Sequence, residues 1–102
     1  HNRLLDRPIR SVALCGGAGD FLLDEALRQG CDAFLTGEMH YHHYMGHEGE
    51  IQIGVLGHYQ SERFTPHLLQ RLLREACPDL RAEVAEADTN PVHCLWTGKG
   101  ER

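Results

Sequence analysis

His58 and Glu62 stand four residues apart in Gly57-His58-Tyr59-Gln60-Ser61-Glu62, the spacing that brings two side chains onto one face of a helical turn. An imidazole nitrogen and a carboxylate oxygen offered together suit Zn, Mn or Fe. A catalytic zinc takes three protein ligands, so the pair is half of a site. The plain alternative is an exposed histidine beside a first-turn glutamate that complements the helix dipole. Glu38, in Thr36-Gly37-Glu38, is the candidate catalytic residue: a general base, a ligand, or the carboxylate that holds a metal-bound imidazole. Its alternative is a solvated turn carboxylate.

Four of the eight histidines fall between His40 and His47. On a short helix His43 and His47 have the spacing to share a metal, although a solvated surface can be equally histidine-rich. Tyr41 and Tyr44 suit packing against a core or an interface. Gly16-Gly17-Ala18-Gly19-Asp20 invites an anion at a helix N-terminus. It lacks the Lys-Ser/Thr of a phosphate loop and the glycine spacing of a dinucleotide site, which favours a close backbone approach instead. No Ser-His-Asp or Cys-His arrangement is legible from spacing.

The elements that must position these residues follow from patterning. Ile9 to Cys15 is a short β-branched, apolar run that ends in the glycine turn. Asp20 is the expected N-cap of a helix through Gln29, with Gly30 as its stop and Leu22, Leu23, Ala26 and Leu27 on its apolar face. Asp32 to Leu35 and Ile51 to Leu56 read as two further strands. Leu68, Leu69, Leu72 and Leu73 mark a later helix. Pro66 leaves two openings for it: Thr65 as cap with Pro66 first, or a helix from near Ser61 kinked at the proline. Leu80 to Val84 alternates like a half-exposed strand, and His93 to Trp96 reads as one more after Asn90-Pro91. The order predicts an α/β layered sandwich with a mixed, largely parallel core sheet. In such a sheet the three turns after the first three strands share the edge where open α/β sheets bind ligands.

The 102 residues fit a single domain. A net charge of −5 gives no electrostatic case for nucleic acid, and no apolar run is long enough to span a membrane. Cys15, Cys31, Cys77 and Cys94 include no CxxC pair and read as reduced thiols of a cytoplasmic protein.

Five segments in order carry a resemblance: Val12-Ala-Leu-Cys-Gly-Gly-Ala-Gly19, Cys31-Asp-Ala-Phe-Leu-Thr-Gly-Glu38, Tyr41-His42, Gly57-His58 to Glu62, and Asp88-Thr-Asn-Pro91. Together they resemble the Nif-three-like family, known also as GTP cyclohydrolase I type 2 homologues, from about Ile9 to Trp96. The resemblance implies α/β layers, two divalent metals (Zn, Mn, Fe or Mg) in a cleft, and a toroidal homohexamer. It implies a metal site built from a His-His motif and an Asp of an N-terminal half, plus a His and a Glu that fall here on His58 and Glu62. Residues 1–102 would then be one α/β domain equivalent to the family's C-terminal part, with the other ligands upstream. Glu38 and His42 match the family's pattern near the cleft. The implied activity is metal-dependent hydrolysis of a nucleotide or another phosphorylated small molecule. A non-catalytic metal-binding scaffold, or a fold fragment without function, are the alternatives.

Overall fold

The computed structural model describes residues 1–93 and 95. Three strands form one sheet in the order β1 (Val12–Ala18), β2 (Ala33–Glu38), β3 (Gln52–Val55). Both pairings are parallel, with Val12 opposite Ala33 and Ala33 opposite Gln52. The turns after the three strands therefore do share the C-terminal edge of the sheet. A 3-10 turn (Asp20–Leu22) and helix α1 (Leu23–Arg28) join β1 to β2, and a second 3-10 turn (Tyr41–Tyr44) lies between β2 and β3. Helices α2 (His58–Glu62) and α3 (Thr65–Ala76) follow.

The core is small. Leu23 and Ala26 of α1 pack on Phe34, Ile51 and Ile53, with Leu22 and Leu27 partly buried beside them, as the apolar face of α1 predicts. α1 ends as expected: Gly30 has φ 70°, and the N–H groups of Gly30 and Cys31 donate to the carbonyls of Leu27 and Ala26, the pattern of a Schellman stop. Asp20 is not the cap. It lies inside the first turn, Gly19 holds the cap position, and no side chain caps it. β1 also runs further than its apolar stretch suggests, through Gly16 and Gly17 to Ala18, with an irregular register after Cys15.

Three other expectations are corrected. The 40–47 segment is helical only from Tyr41 to Tyr44, because Met45 is extended and Gly46 has φ 82°. Leu80 to Val84 forms no strand. The Ala82 carbonyl instead accepts from the Gln70 side-chain amide and the Arg74 guanidinium of α3, each at 3.0 Å. The sheet among the described residues is thus parallel throughout rather than mixed. The strand expected at His93 to Trp96 lies in part outside the described residues, as does Cys94; Cys15, Cys31 and Cys77 are free. At Pro66 both openings are partly right. α2 stops at Glu62, whose carbonyl a continuous helix would bring against the proline ring. α3 then starts afresh with Phe64 at its cap and Pro66 in its first turn.

The Cα radius of gyration is 17.5 Å, against about 13 Å for a compact domain of this length. Much apolar surface is left uncovered: Leu14 of β1 is 74% exposed, and Leu68, Leu69, Leu72 and Leu73 of α3 are each about half exposed. No described helix is long and apolar enough to cross a membrane.

Candidate metal centre

At the C-terminal edge of the sheet, Gly57 (φ 94°) turns the chain out of β3 and into α2. α2 packs on the ends of β1 and β2. One turn of helix then sets His58 and Glu62 on one face, with His58 Nε2 3.2 Å from Glu62 Oε2. The other ring nitrogen, Nδ1, lies 3.3 Å from Glu38 Oε1 at the end of β2. The structure therefore joins all three residues singled out in the sequence, but on opposite sides of one imidazole. All three are about half exposed. The two carboxylates raise the pKa of His58, the hydrogen bond to Glu38 first and the charge of Glu62 second.

This arrangement fits a metal. Tetrahedral ligands at 2.0–2.1 Å from zinc stand about 3.3 Å from one another, close to the His58–Glu62 separation. A carboxylate on the second ring nitrogen is the usual means of fixing the tautomer and direction of a metal-bound histidine. The wall beside the pair is bare backbone. Gly17 has φ 65°, and a Cβ there would stand 2.6 Å from Glu62 Oε1 and 3.4 Å from His58 Nε2. The glycine turn is thus a close approach of backbone to side chains, as its missing phosphate-loop residues suggest.

Two residues that spacing did not flag hold this geometry. Ser61 Oγ accepts from the Gly17 N–H at 3.1 Å and donates to the His58 carbonyl at 2.8 Å, which ties α2 to β1. Thr36, 1% exposed, accepts from the Gly19 N–H at 2.9 Å and donates to the Gly17 carbonyl at 3.1 Å, which ties β1 to β2. A hydroxyl inside the apolar run Ala33-Phe34-Leu35 was the available signal for Thr36. Gly37 leaves room for both, since a Cβ there would stand 2.5 Å from the Gly17 carbonyl oxygen and 2.6 Å from Ser61 Oγ.

The site opens into a cleft of about 1220 Å³ between the sheet edge, α2 and the 84–92 segment. Tyr59 O–H donates to Asp88 at 3.0 Å, and Asp88 in turn accepts from the Asn90 N–H. This places the Asp88-Thr89-Asn90-Pro91 turn opposite His58. His43 and His47 do not come together: the turn between them is not helical, and His47 pairs with Glu50 at 3.3 Å. His43 instead joins His40 around the Asp20 carboxylate, 3.6 Å from His43 Nε2. His42 stacks on His43 with 4.3 Å between ring centroids. Tyr41 is exposed, and Tyr44 packs on the core.

Comparisons with known proteins agree with one another. The family described as Duf34/NIF3 (NGG1p interacting factor 3) matches residues 2–91. The GTP cyclohydrolase 1 type 2 homolog of Archaeoglobus fulgidus is 41% identical over 68 residues, covering 66% of this chain and 28% of that protein. The protein of the same name from Streptococcus pneumoniae is 32% identical over 94 residues, covering 87% and 35%. The crystal structure of a Staphylococcus aureus hypothetical protein superimposes with a TM-score of 0.71 at 24% identity, covering 85% of this chain and 26% of that one; this likeness speaks for the fold. The chain thus spans about a quarter to a third of the length of the relatives it matches.

Proposed function

This chain belongs to the Duf34/NIF3 family, and on that premise we propose that it carries part of a dinuclear-metal hydrolase site acting on a nucleotide or another phosphorylated small molecule. The observation that carries the reading is the two-sided His58: Nε2 shares a face with Glu62 beside the bare backbone of Gly17, while Nδ1 is held by Glu38. His58 and Glu62 would hold a divalent ion of the Zn, Mn, Fe or Mg class. Two such ions supply a water activated at neutral pH and a polarised target group. Glu38 holds the Nδ1 side of the ring, which leaves Nε2 for the ion it would bind, and it lines the cleft, where it would accept a proton from a water or a substrate. The cleft, at about 1220 Å³, is somewhat larger than the roughly 300–1,000 Å³ of most small-molecule sites, so a nucleotide would fill only part of it. Two protein ligands fall short of the three that a catalytic ion ordinarily takes, so the remaining ligands would come from outside these residues. The protein would work in the cytoplasm as a homo-oligomer, a hexameric ring by resemblance.

Metal analysis after exhaustive dialysis, on the longest natural form of the protein, tests this. Removing the imidazole by His58→Ala should lower bound metal by about one ion per chain and abolish turnover of a nucleotide and phosphate-ester panel. Full metal content in that variant would overturn the reading. The exposed leucines of α3 and of β1 favour a second reading, a ring-forming scaffold whose metals are structural. Hydrolysis that rises and falls with added Mn or Zn selects the enzyme; a stable ring with metal and no turnover selects the scaffold.

A further inference from the structure

The imidazoles between β2 and β3 and the carboxylate after β1 have no part in the reading above, yet the fold brings them together. Asp20 follows the glycine end of β1, and His40 and His43 follow the end of β2. They stand 20 and 23 residues away in sequence but in contact in space. Asp20 Oδ2 accepts from His40 Nδ1 and lies 3.6 Å from His43 Nε2. One ligand atom from each of the three lies within 4.8 Å of the others.

The local structure explains the convergence. His40 caps the 3-10 turn Tyr41–Tyr44, and the His43 N–H donates to the His40 carbonyl at 3.1 Å. That bond closes the turn over the extended His40 backbone, and both rings reach the Asp20 carboxylate. The opposing carboxylate is the more sheltered partner: its side chain is 14% exposed, against 74% for His40 and 36% for His43. It is fixed from beneath by its place in the turn after Gly19, whose N–H the buried Thr36 hydroxyl holds.

We propose that Asp20, His40 and His43 form a second, separate metal site, for one borderline divalent ion of the zinc class. Two imidazoles and one carboxylate are a ligand set known from catalytic zinc and from open iron(II) sites. The Asp20–His43 separation is near the roughly 3.3 Å that tetrahedral zinc imposes. Uptake would release the proton between His40 and Asp20 to solvent and put the ion in its place, and the two groups would move apart by a rotation of the exposed His40 side chain. The exposure of His40 leaves the remaining coordination position open to water or to a ligand in the cleft, whose rim His40 lines. All three ligands lie within these 102 residues, so this site, unlike the His58–Glu62 pair, needs no residue from elsewhere.

Zinc titration of the full chain by calorimetry, repeated with Co(II) and its visible absorption, tests the proposal. One equivalent should bind to the chain and to a His58→Ala/Glu62→Ala variant alike. That equivalent should weaken at least tenfold in His40→Ala/His43→Ala and in Asp20→Asn, with circular dichroism unchanged. The last substitution keeps the size and planar shape of the side chain while removing the charge and one acceptor oxygen. Undiminished uptake by the His40→Ala/His43→Ala variant overturns the proposal, and so does loss of the tight equivalent in His58→Ala/Glu62→Ala alone. The absence of any saturable uptake also overturns it, and would mean that Asp20 and His40 form only a hydrogen-bonded brace between two turns. A failure of the hydrolase reading leaves these outcomes unchanged.

Discussion

Two histidine–carboxylate clusters stand on the same edge of one small sheet, and they are assembled in opposite ways. In the first, two of three members come from a single helical turn, His58 and Glu62 four residues apart, and Glu38 is added across the sheet. In the second, His40 at the cap of a 3-10 turn and His43 inside it meet a carboxylate carried by the turn after the neighbouring strand. The first is bounded by glycine backbone, the second by a sheltered aspartate. The contrast shows two sources of site geometry in one fold. Helical spacing supplies the first cluster, and strand register, which sets the end of β1 beside the end of β2, supplies the second.

The largest effect should come from what the clusters share. Phe34, 1% exposed, sits near the start of β2, the strand that carries Glu38 at its end and leads into His40. Phe34→Ala should cost about 3–5 kcal/mol, much of the stability of a domain with so small a core. Urea unfolding of the longest natural form should show it, with zinc uptake at both clusters lost together. If one cluster kept its affinity in the unfolding range, the two would not rest on a common sheet.

Thr36→Val comes next. It removes the hydroxyl that accepts from Gly19 and donates to Gly17. A buried N–H left without a partner costs about 1–3 kcal/mol, and Thr36→Ser should recover most of the loss. Because the hydroxyl braces both the glycine wall of the first cluster and the turn that carries Asp20, both should weaken. Gly37→Ala should separate them. Its Cβ would press on the Gly17 carbonyl and Ser61 Oγ, at a cost of about 1–3 kcal/mol for an overfilled contact. The displacement should fall on α2. Metal uptake at His58 should drop while the Asp20–His40–His43 cluster keeps most of its own. Equal loss at both would mean that α2 and the Asp20 turn move as one body.

How much of this was legible in the sequence follows the same division. Periodicity marked α1, the three strands and the leucine stripe of α3, and the parallel order of the strands placed the three turns on one edge. The His58–Glu62 pair was legible because its geometry is local. The Asp20 cluster was not. Asp20 reads as a helix cap until β1 is seen to extend through its glycines, and His43 reads as a partner for His47 until Gly46 and an extended Met45 end the turn between them. Leu80 to Val84 failed for a related reason. Alternation alone does not dock a segment on a sheet edge, and here the Ala82 carbonyl goes to side chains of α3.

The smallest effect is the most discriminating, because it reads each cluster through its own histidine in the metal-free protein. His58 and His40 both titrate above the ordinary value of 6.5, His58 through its hydrogen bond to Glu38 and the charge of Glu62, His40 through its hydrogen bond to Asp20 and that group's charge. Asp20 is correspondingly held below the ordinary 3.8 by the His40 ring. A raised histidine contributes stability that is complete below the unfolded pKa and fades as pH rises through the folded one; a depressed aspartate contributes above its unfolded pKa and loses it as pH falls through the folded one. The Asp20–His40 pair therefore acts between the lowered value of the acid and the raised value of the base, a window that includes mildly acidic pH. Proton NMR of the ring C–H groups should show Glu38→Gln returning His58 toward 6.5 while nearly sparing His40, on which Glu38 acts only through a weak through-space attraction. Asp20→Asn should do the converse. If either substitution moved both histidines equally, the two clusters would be one electrostatic unit, and the separate metal site proposed at Asp20 would have to be read as an extension of the first.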